Sequence, residues 1–129
     1  MKRFALTTAV LMSILLAGCT SVPIMNVDRA AVTTATGNPA TREQVRNAIV
    51  RAGTGLGWQF RDESPNMLVG TLVLRSHTAV IEIPYSRSEF SIRHRSSVNL
   101  DESGGNIHRN YNAWIQNLTR AINAQLTNL

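Results

Sequence analysis

The stretch Met67-Leu68-Val69-Gly70-Thr71-Leu72-Val73-Leu74-Arg75-Ser76-His77-Thr78-Ala79-Val80-Ile81-Glu82-Ile83-Pro84-Tyr85 decides the fold. Residues 67–75 and 78–85 are rich in apolar and β-branched side chains, which suit a pleated, half-buried surface. In the second run Ala79, Ile81, Ile83 and Tyr85 share one face and Glu82 takes the other. Ser76-His77 reads as a tight turn, so the two runs pair antiparallel. Pro84 has no N–H to give a ladder and belongs at a strand end or edge.

Working outward, Trp58 and Phe60 alternate in a run at 57–62, and Ser64-Pro65-Asn66 turns the chain into the quoted stretch. Beyond it, Ser86-Arg87-Ser88 turns the chain again. Residues 89–95 then set Phe90, Ile92 and His94 against Ser91, Arg93 and Arg95. Four strand-like runs with short links make an antiparallel meander. A polar loop at 96–105 follows.

A helix flanks this meander on each side. Thr41-Arg42-Glu43-Gln44 is a capping box, and Val45, Ala48, Ile49 and Ala52 lie on one helical face. This predicts a helix over 42–53 that stops at Gly53. At the other end Ile107, Tyr111, Trp114, Ile115, Leu118, Ala121, Ile122 and Leu126 form an apolar stripe, with Asn106 as N-cap. Arg109, Asn112, Gln116, Arg120 and Asn123 fill the polar side. The expected order is α-β-β-β-β-α over 41–129. This is an α+β domain, a four-stranded antiparallel meander with two helices packed on one face.

A chain of 129 residues has room for one small domain and excludes a TIM barrel or a two-lobed kinase. Its one cysteine, Cys19, cannot form an internal disulfide or a cysteine-based zinc site.

The chain opens Met1-Lys2-Arg3, continues with a mostly apolar run from Phe4 to Leu16, and reaches Leu16-Ala17-Gly18-Cys19. The first two parts are the charged and apolar regions of a secretory signal. The run is shorter than the roughly 20 apolar residues a membrane span needs. Leu16-Ala17-Gly18-Cys19 resembles the lipobox of bacterial lipoprotein precursors. That resemblance implies a signal peptide at 1–18, cleavage before Cys19, a diacylglycerol on the Cys19 thiol and a further N-acyl chain such as palmitate. Thr20, rather than Asp, implies the outer membrane, facing the periplasm.

Removing Lys2 and Arg3 leaves eleven arginines against eight acidic residues, so the formal charge falls from +5 to +3. No basic run remains, and nucleic acid is not an expected partner. Residues 19–40 are small and polar, with Pro23, Gly37 and Pro39 as breakers. They read as a lipidated N-terminus and flexible tether with a mean reach of roughly 25 Å. Within them Pro23-Ile24-Met25 and Val27 make one apolar patch.

From Ile83-Pro84-Tyr85 through Ser96-Ser97 and Asn99-Leu100 to Ile107-His108, Tyr111-Asn112 and Trp114-Ile115, the chain resembles small uncharacterised envelope lipoproteins of proteobacteria. The resemblance covers about residues 45–125 and implies a location and a fold, but no reaction.

Catalytic patterns are weak. His77, His94 and His108 fall on different elements, so no metal site and no cofactor is expected. Ser97, His108 and Asp101 flank one loop and can be drawn as a hydrolytic grouping, although nothing in their spacing demands it. Arg93 and Arg95 alternate on one strand, and Arg75 ends another. Arginine binds carboxylate and phosphate bidentately, so Arg75, Arg93 and Arg95 are candidate contacts for an anionic lipid, glycan or protein patch. The expectation is a membrane-anchored, non-enzymatic interaction or scaffold module. An envelope protein or an anionic envelope component would be its partner.

Overall fold

The computed structural model describes residues 20–129. The signal peptide expected at 1–18, and Cys19, lie outside the described residues. The chain forms β1 (Ser21–Pro23), β2 (Val27–Ala31), α1 (Arg42–Gly55), β3 (Gln59–Ser64), β4 (Met67–Leu74), β5 (His77–Pro84), β6 (Glu89–Val98), β7 (Asn106–His108) and α2 (Arg109–Leu126). A five-stranded antiparallel sheet has the order β2-β6-β5-β4-β3, and β1 pairs with β7 in a two-stranded ribbon.

The fold is therefore mixed α and β, with two helices, as the periodicities imply. The meander β3-β4-β5-β6 is present, and Pro84 is the last residue of β5. Alternate sheet residues Leu68, Leu72, Ala79, Ile81, Ile83, Phe90 and Ile92 share one core with Val45, Ala48 and Ile49 of α1 and Tyr111, Ile115, Leu118 and Ile122 of α2. The capping box forms in both directions. Gln44 N–H donates to Thr41 Oγ1 at 3.1 Å, and Thr41 N–H donates to Gln44 Oε1 at 2.9 Å.

Three expectations need correction. The first concerns the flexible tether at 19–40, because its described part holds two strands and packed side chains. β2 pairs with β6 as a fifth strand, and Ile24, Met25 and Val27 pack on the core. A break in β2 register between Val27 and Ala30 puts Arg29 at φ 53°, where its N–H donates to the buried Ser91 hydroxyl at 3.0 Å. The bulge thus satisfies a polar group that the sheet would otherwise bury unpaired.

The second correction concerns Gly53, which does not stop α1; the helix runs on to Gly55. Gly53 is buried, and a side-chain carbon on it would overlap the ring of Phe60. A carbon on Gly70 of β4 would come within 2.9 Å of the same ring. The two glycines make the slot into which Phe60 of β3 fits, which draws α1 onto the sheet.

The third correction lies in the connections. The β4–β5 turn is Arg75-Ser76, with Arg75 at φ 57°, and His77 begins β5. β6 continues through Val98, so Ser96 and Ser97 are strand rather than loop. Asn106 lies in β7, and the N-cap of α2 is His108, whose Nδ1 accepts from Asn110 N–H at 3.2 Å.

Candidate functional site

The uncovered face of the sheet carries charge. Arg93 pairs across the ladder with Glu82, and Glu82 lies opposite Val69 on the other side. A register shift between Val80 and Ile81 leaves Arg95 as an extra residue on β6. Its guanidinium reaches Glu63 of β3 at 2.8 Å and Glu82 at 3.7 Å. Glu63 also meets Arg61 at 3.7 Å, and Arg93 approaches Asp28 of β2 at 3.9 Å. The Glu63 hydrogen bond and its negative charge raise the Arg95 pKa.

Of the three candidate anion contacts, Arg95 is thus occupied by two carboxylates and Arg93 stands near a third. Arg75 is elsewhere, exposed in the β4–β5 turn. Glu82 lies five residue steps along β5 from His77 beside that turn, which is roughly 17 Å along the strand. The structure therefore does not gather Arg75 with Arg93 and Arg95.

Nor is the drawn hydrolytic grouping assembled. The Ser97 hydroxyl lies 3.1 Å from His94 Nε2, while His108 caps α2. His94 stands edge-on against Tyr111, with ring centroids 5.3 Å apart. Burial lowers the His94 pKa, with the charge of Glu102 opposing it. The sequence placed His94 on the core face of its strand but did not pair it with Ser97. That pairing needs the bulge at Arg95, which keeps residues 94 and 97 on one face. Tyr111 is fully buried, its hydroxyl has no hydrogen-bond partner among the described residues, and burial drives its pKa upward. His77 Nδ1 sits 2.6 Å from the Asn99 carbonyl. Among the described residues, no group of three or more His, Cys, Asp or Glu side chains is placed to hold a metal ion.

At the opposite end from the β4–β5 turn, an open cleft of about 590 Å³ lies between the 32–40 segment and the β5–β6 turn, with Arg87 and Ser88 on one wall. Arg87 Nε donates to the Ala40 carbonyl at 3.4 Å. Beside it, Arg46 of α1 grips Asp62 of β3 with two 2.8 Å hydrogen bonds, which lower the Asp62 pKa.

The amino-terminal segment is bound into the fold by backbone and side-chain hydrogen bonds. Ser21, Val22 and Pro23 pair with His108, Ile107 and Asn106. The Arg109 N–H donates to the Thr20 carbonyl at 2.9 Å, and Ile24 N–H donates to the Gly105 carbonyl at 2.9 Å. Asn112 of α2 clasps the segment with both ends of its amide. Its Oδ1 accepts from Met25 N–H at 2.9 Å, and its Nδ2 donates to the Pro23 carbonyl at 2.9 Å. In the sequence Asn112 falls on the polar face of the helix, and no local pattern announces a backbone partner some ninety residues away. The chain is thus held from residue 20 onward, immediately after Cys19.

Compared with known protein families, curated proteins and solved structures, the chain matches none of them.

Proposed function

We propose that the chain is a lipid-anchored protein of the bacterial envelope, attached through Cys19 and serving there as a non-enzymatic interaction or scaffold module. The observation that carries the reading is the order of charge, apolar run, small residues and cysteine in Met1 to Cys19. Only a thiol at that position accepts the lipid, and two or three acyl chains hold a protein firmly where one does not. Thr20 supports the outer membrane and a periplasm-facing domain. The backbone pairing of Ser21 to Pro23 is consistent with a mature chain that begins at Cys19 and folds from its first residues.

The test is metabolic labelling with palmitate in a Gram-negative host, followed by membrane fractionation. The full chain is expected to take up label and to sediment with the outer membrane. Cys19→Ala is expected to do neither. A full chain that stays unlabelled and soluble overturns the reading.

A further inference from the structure

Four large apolar side chains stand exposed among the described residues: Leu56 at 43%, Val73 at 65%, Leu74 at 47% and Val98 at 61%. Their positions in the fold are not scattered. Val73 pairs with Thr78, and Thr78 pairs with Val98, so the two valines flank Thr78 in one row across three strands at the end of the uncovered face. Leu74 follows on β4 and lies two residues beyond Leu72, and Leu72 lines a small hollow with Leu56 and Trp114. All four therefore cluster around the β4–β5 turn.

The same end holds the start of the described chain. Asn99 Nδ2 donates to Ser76 Oγ of the turn at 2.9 Å. The next residue, Leu100, accepts at its carbonyl from His108 N–H at 2.8 Å, and the adjoining Arg109 N–H binds the Thr20 carbonyl. Three successive hydrogen bonds thus lead from the exposed apolar turn to the residue that follows Cys19.

We infer that this end of the domain is a membrane-docking surface, with Val73, Leu74, Val98 and Leu56 resting in the polar–apolar boundary of the bilayer that holds the Cys19 lipid. The inference rests on the lipid-anchor reading and goes beyond it, because a lipid alone does not orient a domain. The amino-terminal segment is tied into the fold from residue 20, which leaves no slack to carry the apolar end away from the surface. An anchored protein with its apolar side chains at the attachment end buries them without bending, and the hydrophobic gain scales with the area removed from water. Arg75 and Arg109 are exposed at the same end and suit phosphate headgroups. Asp101 and Glu102 lie on the neighbouring loop, so the net charge there is near balance and the apolar side chains set the orientation.

The experiment uses full-length lipidated protein in vesicles of phosphatidylethanolamine with a minor share of phosphatidylglycerol. Lipidation is verified first by mass. A fluorophore is placed at Ser76→Cys in the docking end or at Arg87→Cys in the far β5–β6 turn; Cys19, consumed by lipid, does not compete. Quenchers carried on the lipids are expected to reach the label at 76 severalfold more efficiently than the label at 87. The triple change V73S/L74S/V98S is expected to abolish that difference while the protein still sediments with vesicles. Equal quenching at 76 and 87 in lipidated, folded protein overturns the docking surface and leaves the anchor intact. Shielding of the label at 76 that grows with protein concentration in lipid-free detergent marks a second copy as the occupant and also overturns it. A full chain that carries no lipid overturns the anchor reading, and the docking surface with it.

Discussion

Asn112→Ala should convert the held amino-terminal segment into a loose one. The side chain makes two hydrogen bonds to backbone, to Met25 N–H and to the Pro23 carbonyl, each at 2.9 Å. A hydrogen bond of this kind contributes about 0.5–1.5 kcal/mol net. The site is only partly buried, so water replaces some of what alanine removes. The opening free energy of residues 20–25 should fall by about 1–2 kcal/mol, roughly a 5- to 30-fold increase in the open population. Native-state amide exchange reads this directly. The amides of Ile24 and Arg109, which bind Gly105 and Thr20, should exchange faster by that factor, while Ile115 in the middle of α2 should not change. Asn112→Asp keeps an acceptor for Met25 but turns an unprotonated oxygen toward the Pro23 carbonyl, so it should recover at most half of the loss. Unchanged exchange at Ile24 and Arg109 refutes the clasp. An equal rise at Ile115 refutes local opening, because it reports global destabilisation.

Gly53→Ala should destabilise the domain although alanine is the better helix former. Overpacking against Phe60 costs about 1–3 kcal/mol, against roughly 1 kcal/mol of helix propensity gained. In F60L the same change should cost less, and a denaturant titration of the two pairs measures the difference. Tyr111→Phe removes a buried hydroxyl that has no partner among the described residues and should leave the midpoint unchanged or raise stability by up to about 1 kcal/mol; a loss of more than that contradicts the assignment. The lowered His94 pKa sets a pH dependence. The unfolded chain binds a proton near pH 6.5 that the folded chain resists, so stability holds above 6.5 and declines as pH falls below it. His94→Gln should flatten that part of the curve, and a profile that rises on acidification contradicts the sign.

Much of the fold is legible because its decisive patterns are local. The capping box at Thr41, the stripe from Val45 to Ala52 and the alternation through Ala79, Ile81 and Ile83 each announce an element within one window. What escapes such windows is pairing between distant segments. β2 is short, holds Asp28 and Arg29 at a bulge, and alternates poorly; it is a strand because Phe90 and Ile92 lie beside it. Gly53 follows the usual signature of a helix stop, and only the Phe60 ring explains why a glycine sits inside the helix. The site divides in the same way. Arg93 and Arg95 are visible from alternation, but their carboxylate partners come from β2, β3 and β5, and those partners turn a candidate anion cradle into a balanced charge array. The apolar end at Val73 and Val98 is invisible to periodicity, since each valine alone looks like ordinary strand sequence.

Attachment at Cys19 is the claim on which the location, the orientation and the role of the amino-terminal segment depend. Intact mass spectrometry of the protein extracted from envelope membranes tests it most directly. The expected species is a chain that begins at Cys19, lacks Met1 to Gly18 and carries the added mass of a diacylglyceryl group with a further acyl chain. A chain that begins elsewhere, or one with an unmodified Cys19, would contradict it.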